Sequence, residues 1–196
     1  RLWGGVGFIL ASLTIGYLVD AFSIRMMVYA YLAAVAAQVF LSFSLPSEGG
    51  GRQDRLGSEV VALLKRKDFV TFLLAGFILR ASHGPMWTFL PIHLKELGFS
   101  GWTIGWSFSV GVIAEVIFLI FSHRFLKRFG VKSLLMAASG GAALRWWFYS
   151  LAQEPWSFLA ISLLHSLTFA AFHVASVTFV ERLSLIHISE PTRLGM

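Results

Sequence analysis

Six long apolar stretches constrain this chain more than any other feature of its sequence. Each is about 20 residues long, the length that an α-helix with a rise of about 1.5 Å per residue needs to cross roughly 30 Å of hydrocarbon. The stretches are continuous and lack the alternation of membrane strands, so they predict transmembrane helices. The predicted spans cover residues 2–20, 26–45, 69–92, 102–122, 133–152 and 156–180.

The composition excludes an ordinary soluble domain. Of the 196 residues, 57% are hydrophobic and 13% are charged, whereas soluble domains average about 45–50% and about 25%. The absence of cysteine excludes disulfides and thiolate metal sites. No Walker loop, nucleophile elbow or zinc motif occurs, and no His/Asp/Glu cluster has the spacing of metal ligands. We therefore expect an all-α integral membrane protein that is not an enzyme and needs no metal or cofactor.

The basic residues predict the orientation of the spans in the lipid bilayer. If the spans alternate in direction, the linker at 46–68 and the loop at 123–132 lie on one side, together with most of the Lys and Arg residues outside the spans. The opposite side has only Arg25 and Lys95. Because cytoplasmic loops of membrane proteins are rich in Lys and Arg, we expect the linker and this loop to be cytoplasmic. The net charge of +6 then needs no nucleic-acid partner.

The order of the spans divides the chain into four segments. Residues 1–45 hold two spans, 46–68 form a polar, Gly-rich linker, and 69–183 hold four more spans. A long cytoplasmic loop within a helical membrane protein often joins two repeats, so we expect further spans on both sides of this sequence. The tail at 184–196, SLIHISEPTRLGM, resembles a translated sequencing adapter. We expect it to be a non-native read-through and assign it no function.

Three charged residues and three histidines lie well within spans three to six. A charged group near the middle of a bilayer is costly, usually faces the bundle interior, and is a functional-site hypothesis by default. Arg80, Glu115 and Arg145 fall near the middle of spans three, four and five. The histidines of spans three and six add further candidates for the lining of a solute path. They are His83, His165 and His173.

Structural alternatives remain for these residues. Glu115 with an arginine could be a fixed ion pair that sets helix packing. His165 is the best candidate for carrying a proton, because the unperturbed pKa of histidine lies near physiological pH; a neutral, hydrogen-bonded core histidine is the alternative. Trp146, beside Arg145, could stack on a ring of the solute. Gly84-Pro85 in span three predicts a kink, because proline interrupts the helical hydrogen bonds.

Several short motifs together resemble the major facilitator superfamily, in its branch of 3-phenylpropionate transporters related to the oligosaccharide–proton symporters. These motifs are RLWGGVGF at 1–8, ASHGPMWTF at 81–89, LGFSGWTIGW at 97–106, SVGVIAEV at 109–116, ALRWW at 143–147 and LLHSLTFAAFH at 163–173. The resemblance implies a partial major-facilitator bundle in which the six transmembrane helices correspond to helices five to ten of twelve.

The same resemblance implies roles for individual residues. Arg1 matches an arginine that holds the sugar in those symporters, and Arg145 and His165 match the arginine and histidine of the coupling network, again 20 residues apart. Glu115 lies about three residues from the matching glutamate. The proton-carrying glutamate of the symporters is Thr168 here. Their coupling scheme therefore does not transfer as a whole.

These observations predict a fragment of a secondary active transporter in a bacterial inner membrane. We expect a small organic solute such as an aromatic carboxylate to bind at Arg1, Glu115, Arg145 and Trp146, with His165 and Glu115 coupling its uptake to a proton. The full-length protein is expected to be a monomer. The alternatives are a sugar or nucleoside proton symporter and a non-transporting sensor or scaffold. An intramembrane enzyme would have to rest on His165 and Glu115, and nothing in the sequence near them suggests a nucleophile constellation.

Overall fold

The computed structural model describes residues 2–45, 61 and 63–194, and the side chains of 3–45, 61 and 63–183. Arg1, most of the linker and the side chains of the 184–196 tail lie outside the described residues. The described part is helical and contains no strand. Its helices are α1 (Leu2–Ala21), α2 (Arg25–Ser42), α3 (Lys67–Thr88), α4 (Leu90–Glu96), α5 (Gly101–Leu151), α6 (Pro155–Ser162), a π-helix (Ser166–Ala171) and α7 (Phe172–Leu194).

Five continuous helical stretches of the described chain are long and apolar enough to cross a membrane. Six spans were predicted, and the difference arises in α5, which contains the fourth and fifth. With 51 residues, α5 would measure about 77 Å if it were straight, far more than a bilayer core. Gly130 interrupts it with φ 74° and ψ 170°, a conformation that favours glycine. The first arm of α5 (101–129) and its second arm (131–151) hold the two predicted spans.

The third predicted span is divided at Phe89, four residues after the Gly84-Pro85 pair at which the sequence predicts a kink. Helix α3 contains Pro85 and ends at Thr88, and α4 begins at Leu90. The proline has no N–H to donate, and the N–H of Phe89 closes the last turn by donating to the Pro85 carbonyl at 2.7 Å. At the other end of the described chain, α7 continues to Leu194, beyond the predicted end of the sixth span at 180.

Helix α1 packs closely along the first arm of α5. A Cβ atom at Gly105 would lie 2.7 Å from the Ser12 carbonyl oxygen, so the two backbones approach as only glycine permits. Ser12 and Ser109 share a hydrogen bond of 2.8 Å between their hydroxyls. The Asp20 carboxylate accepts hydrogen bonds from the first two backbone N–H groups of α5, at 2.7 and 2.8 Å. An acidic side chain at the end of α1 thus caps the N-terminus of α5.

The buried centre lies between the two arms of α5, α3, α6 and the π-helix. Its apolar part includes Leu94, Ala138, Phe158 and Ala175, which are fully buried. Several polar side chains are buried beside them, and these are His83, Ser107, Ser109, Arg145, Ser162, His165 and Thr168. In contrast, α2 contacts only α1 among the described helices and has no buried side chain.

Candidate functional site

Arg145, on the second arm of α5, is the centre of the buried polar cluster. Only 1% of its surface is exposed. Its Nη1 donates to Nδ1 of His165 at 3.1 Å and to Oγ1 of Thr168 at 3.0 Å. Because a guanidinium has donors and no acceptor, the Nδ1 atom of His165 must be the acceptor of the first bond. Both side-chain partners of this buried charge are therefore neutral.

The π-helix brings His165 and Thr168 to the same guanidinium. It begins at Ser166, directly after His165, and ends at Ala171. The hydroxyl of Thr168 also donates to the carbonyl of His165, at 3.3 Å. Short π segments within α-helices occur often at functional sites, since the wider turn changes which side chains share a face. Here His165 and Thr168, three residues apart in the sixth span, both contact one arginine.

Glu115, on the first arm of α5, lies on the other side of the His165 ring. Its Oε2 is 3.5 Å from Nε2 of His165, and the carboxylate side chain is only 12% exposed. Since Nδ1 accepts from Arg145, the neutral ring carries its proton on Nε2, and that N–H faces the carboxylate. His165 thus joins a cation and an anion that lie on different arms of α5.

One side of Arg145 is open to a further acceptor. Its Nε and Nη2 atoms are buried and have no hydrogen-bond partner in the part of the chain that the structure describes. These two atoms form the edge of a guanidinium that binds a carboxylate through two parallel hydrogen bonds. Leaving such donors unmatched in a buried site costs free energy. The arrangement is therefore suited to binding an anion.

A small cavity adjoins Arg145 and His165. Its volume of about 10 Å³ holds roughly one water molecule. Aromatic rings form much of its wall: Trp87 stacks on Phe108 with ring centroids 5.4 Å apart, and it meets the His165 ring edge-on at 6.0 Å. The hydroxyls of Tyr149 and Ser162 lie 3.4 Å apart at the same cavity. A solute larger than water needs these helices to move apart.

His83 and Arg80 on α3 lie next to this cluster. His83 is 3% exposed, and its ring centroid is 6.2 Å from that of His165. The guanidinium carbon of Arg80 lies 4.3 Å from the centroid of the Phe169 ring in the π-helix, a cation–π contact. His83 thus lies in the buried centre, whereas the side chain of Arg80, predicted to face the bundle interior, is exposed beside the Phe169 ring. His173 is half-buried on α7 and does not line the cavity.

Trp146 occupies a position between α3 and the second arm of α5. Its indole N–H donates to the backbone carbonyl of Ser82 at 3.2 Å. Its ring meets Tyr149 edge-on, with centroids 6.1 Å apart. It is absent from the lining of the cavity beside Arg145. In this conformation Trp146 connects two helices.

Sequence reasoning missed several residues of the cavity wall. Trp87, Ser107, Phe108, Tyr149 and Ser162 line it, although nothing in their local sequence separates them from neighbouring apolar or small residues. They lie on α3, on both arms of α5 and on α6, and only the packing shows that they face one cavity. Thr168 carried one signal, its position three residues after His165.

Apolar helices packed around a buried polar centre define this chain as a multi-pass membrane protein. Comparison with known proteins places it more narrowly: the chain belongs to the MFS_1 like family, whose profile matches residues 1–189. The family and its named relatives are transporters of the major facilitator superfamily, not enzymes. No solved structure matches the chain.

Three relatives illustrate the range of the matches. The chain is 27% identical to the "Probable 3-phenylpropionic acid transporter" of Escherichia coli (strain K12), over 92% of this chain and 48% of the relative. It is 31% identical to the maltose permease of Geobacillus stearothermophilus, over 80% and 40%. It is 26% identical to a nucleoside permease of Escherichia coli (strain K12), over 93% and 48%. The chain thus spans half or less of the length of these relatives.

Proposed function

We propose that this chain is part of a secondary transporter that moves a small organic anion, preferably an aromatic carboxylate, together with a proton. The observation that carries the proposal is the open edge of Arg145, a buried guanidinium whose side-chain partners are both neutral. The named relative for 3-phenylpropionic acid supports the same solute class. We place the protein in a bacterial inner membrane, with the linker at 46–68 and the loop at 123–132 in the cytoplasm.

The solute's two chemical parts match two parts of the site. A carboxylate would accept two hydrogen bonds from Nε and Nη2 of Arg145. An aromatic ring would lie against Trp87, Phe108 or Tyr149, which line the adjoining cavity. Because the cavity is far smaller than such a solute, binding requires a more open arrangement of the same helices. Alternation between closed and open arrangements is what secondary transport needs.

Protonation of His165 would couple the proton to the anion. A proton added at Nδ1 turns the acceptor of the Arg145 bond into a donor, so the two groups then repel each other. The imidazolium would instead be stabilised by Glu115, 3.5 Å from its Nε2. Arg145 loses a neutral partner by this change and gains the capacity to hold an anion. Proton and anion binding therefore favour each other.

A sugar or nucleoside is the second candidate solute. The hydroxyls of Ser107, Tyr149 and Ser162 line the same cavity and suit the hydroxyl groups of a neutral solute. The names of the maltose and nucleoside permeases among the relatives support this alternative.

Binding to the reconstituted chain tests the proposal. In lipid nanodiscs we expect binding of 3-phenylpropionate but not of 3-phenylpropanol, which has the same ring and no charge. Arg145→Gln should weaken anion binding by about 10- to 100-fold, the range for losing a charge-assisted hydrogen-bonded pair. Arg25→Gln, on exposed α2, is the matched control. Equal binding of acid and alcohol would favour the neutral solute, and binding of none of the probes would favour a sensor or scaffold.

A further inference from the structure

We infer that His83 is a second proton-binding group of this site and that an anion on Arg145 promotes its protonation. The inference rests on the proposed anion site, and it assigns to α3 a function in coupling that the family resemblance does not provide. Its basis is a difference between two neighbouring imidazoles: Nδ1 donates a hydrogen bond in His83 and accepts one in His165.

The hydrogen bond of His83 determines which of its nitrogens carries the proton. Nδ1 lies 2.8 Å from the backbone carbonyl oxygen of Leu79. A carbonyl oxygen only accepts, so Nδ1 must be the donor. In the neutral ring Nε2 is then a bare acceptor. That atom is buried and has no hydrogen-bond partner among the residues that the structure describes.

His165 has the reverse arrangement. Its Nδ1 accepts from Arg145, and its Nε2 faces Glu115. A proton can therefore enter His165 only by replacing the bond to Arg145. In His83 a proton can enter at Nε2 while the bond from Nδ1 to Leu79 persists. Of the two neighbouring rings, His83 is the one that becomes charged without losing a hydrogen bond.

The charges around His83 determine how readily its Nε2 is protonated. The groups that act on His83 are Arg80 on its own helix, Arg145 on the second arm of α5 and His165 before the π-helix, with Glu115 beyond the His165 ring. A protonated His83 would add a positive charge close to those of Arg145 and Arg80. An anion bound to Arg145 supplies a second negative charge. By linkage, a proton on His83 would then strengthen anion binding by the same factor.

The first measurement is of the proton positions. In nanodiscs containing the chain labelled with ¹⁵N-histidine, nitrogen chemical shifts distinguish the two neutral ring forms. We expect His83 to carry its proton on Nδ1 and His165 on Nε2. Loss of one signal set in His83→Gln and in His165→Gln assigns the residues, and His93→Gln, at an exposed position of α4, is the matched control. A neutral His83 with its proton on Nε2 would overturn the inference.

The second measurement is of linkage. At a pH where His83 is mostly neutral, saturating 3-phenylpropionate should raise its protonated fraction by at least several-fold. In weakly buffered solution, His83→Gln should take up fewer protons per bound anion than the wild type, whereas His93→Gln should match it. Normal anion binding with an unchanged protonated fraction of His83 would refute the inference alone. Failure of the anion to bind would refute the linkage together with the proposed function, and the ring forms would still be decided.

Discussion

Arg145 donates to Nδ1 of His165 across 3.1 Å, and through this bond the second arm of α5 is joined to the helix that continues into the π segment. The bond requires an unprotonated Nδ1, so it exists only in one charge state of the histidine. A structural connection between two helices thus depends on pH. This dependence is the physical basis of the first prediction.

Anion affinity should rise as the pH falls. Protonation of His165 removes the bond to Arg145 and adds positive charge, and both effects favour a bound anion. For each linked proton the affinity for 3-phenylpropionate should change by at most about tenfold per pH unit. His165→Asn retains a neutral acceptor and should reduce this dependence to the part that His83 contributes. Isothermal titration of the nanodisc-bound chain measures it, and a steeper response in the variant would contradict the scheme.

Removing the charge of Arg145 should cost little stability. The unmatched Nε and Nη2 atoms already reduce what this buried guanidinium contributes. Arg145→Met keeps most of the side-chain volume and should change the free energy of unfolding by no more than about 1 kcal/mol, although anion binding is lost. Thermal unfolding followed by tryptophan fluorescence provides the measurement. A loss of about 3 kcal/mol or more would instead identify Arg145 as a structural centre.

The close contact between α1 and α5 should tolerate no side chain at Gly105. A Cβ there would lie 2.7 Å from the Ser12 carbonyl oxygen, and the helices would have to separate. Gly105→Ala should therefore destabilise the chain by about 1–3 kcal/mol. Gly7→Ala is the matched control, because a Cβ at Gly7 meets nothing within 4 Å. The two variants should differ in unfolding temperature, and equal temperatures would argue against the packing.

Removal of the Asp20 cap should loosen the start of α5. Its carboxylate accepts from the N–H groups of Gly101 and Trp102. Asp20→Ala should cost about 0.5–2 kcal/mol, the usual range for a lost helix cap, and Asp20→Asn should cost less because an amide oxygen still accepts. Hydrogen exchange at the Gly101 and Trp102 amides should be slowest in the wild type, faster in Asp20→Asn and fastest in Asp20→Ala. Asp68→Asn, at an exposed position of α3, is the control.

Trp146→Phe should separate the two functions considered for this residue. The structure uses its indole N–H to hold the Ser82 carbonyl, so phenylalanine should lower stability by about 0.5–1.5 kcal/mol. Since Trp146 does not line the cavity, affinity for 3-phenylpropionate should stay within about twofold of the wild type. A tenfold loss of affinity with unchanged stability would restore the predicted contact with solute.

The membrane class and the approximate spans follow from the amino-acid sequence alone. In hydrocarbon every backbone polar group must be satisfied within the segment, so the length of an apolar stretch is nearly sufficient to predict a helix. The sequence also predicts Arg80, Glu115, Arg145 and the histidines of the third and sixth spans as candidate site residues, because ionisable side chains are costly within a bilayer. It also predicts a kink at Gly84-Pro85, whereas in the structure Pro85 lies inside α3 and that helix ends at Thr88.

The contacts among these residues are seen only in the packed helices. The site depends on how α3, the two arms of α5 and the sixth span are rotated against one another. That rotation sets the contact of Arg145 with His165 and Thr168, the ring nitrogens that carry protons, and the placement of Trp146. A π-helix inside the sixth span shifts that rotation, and no residue type in SLTFAA marks it. Helix formation is a local, backbone property, whereas a site between helices is set by side-chain distances that local sequence does not encode.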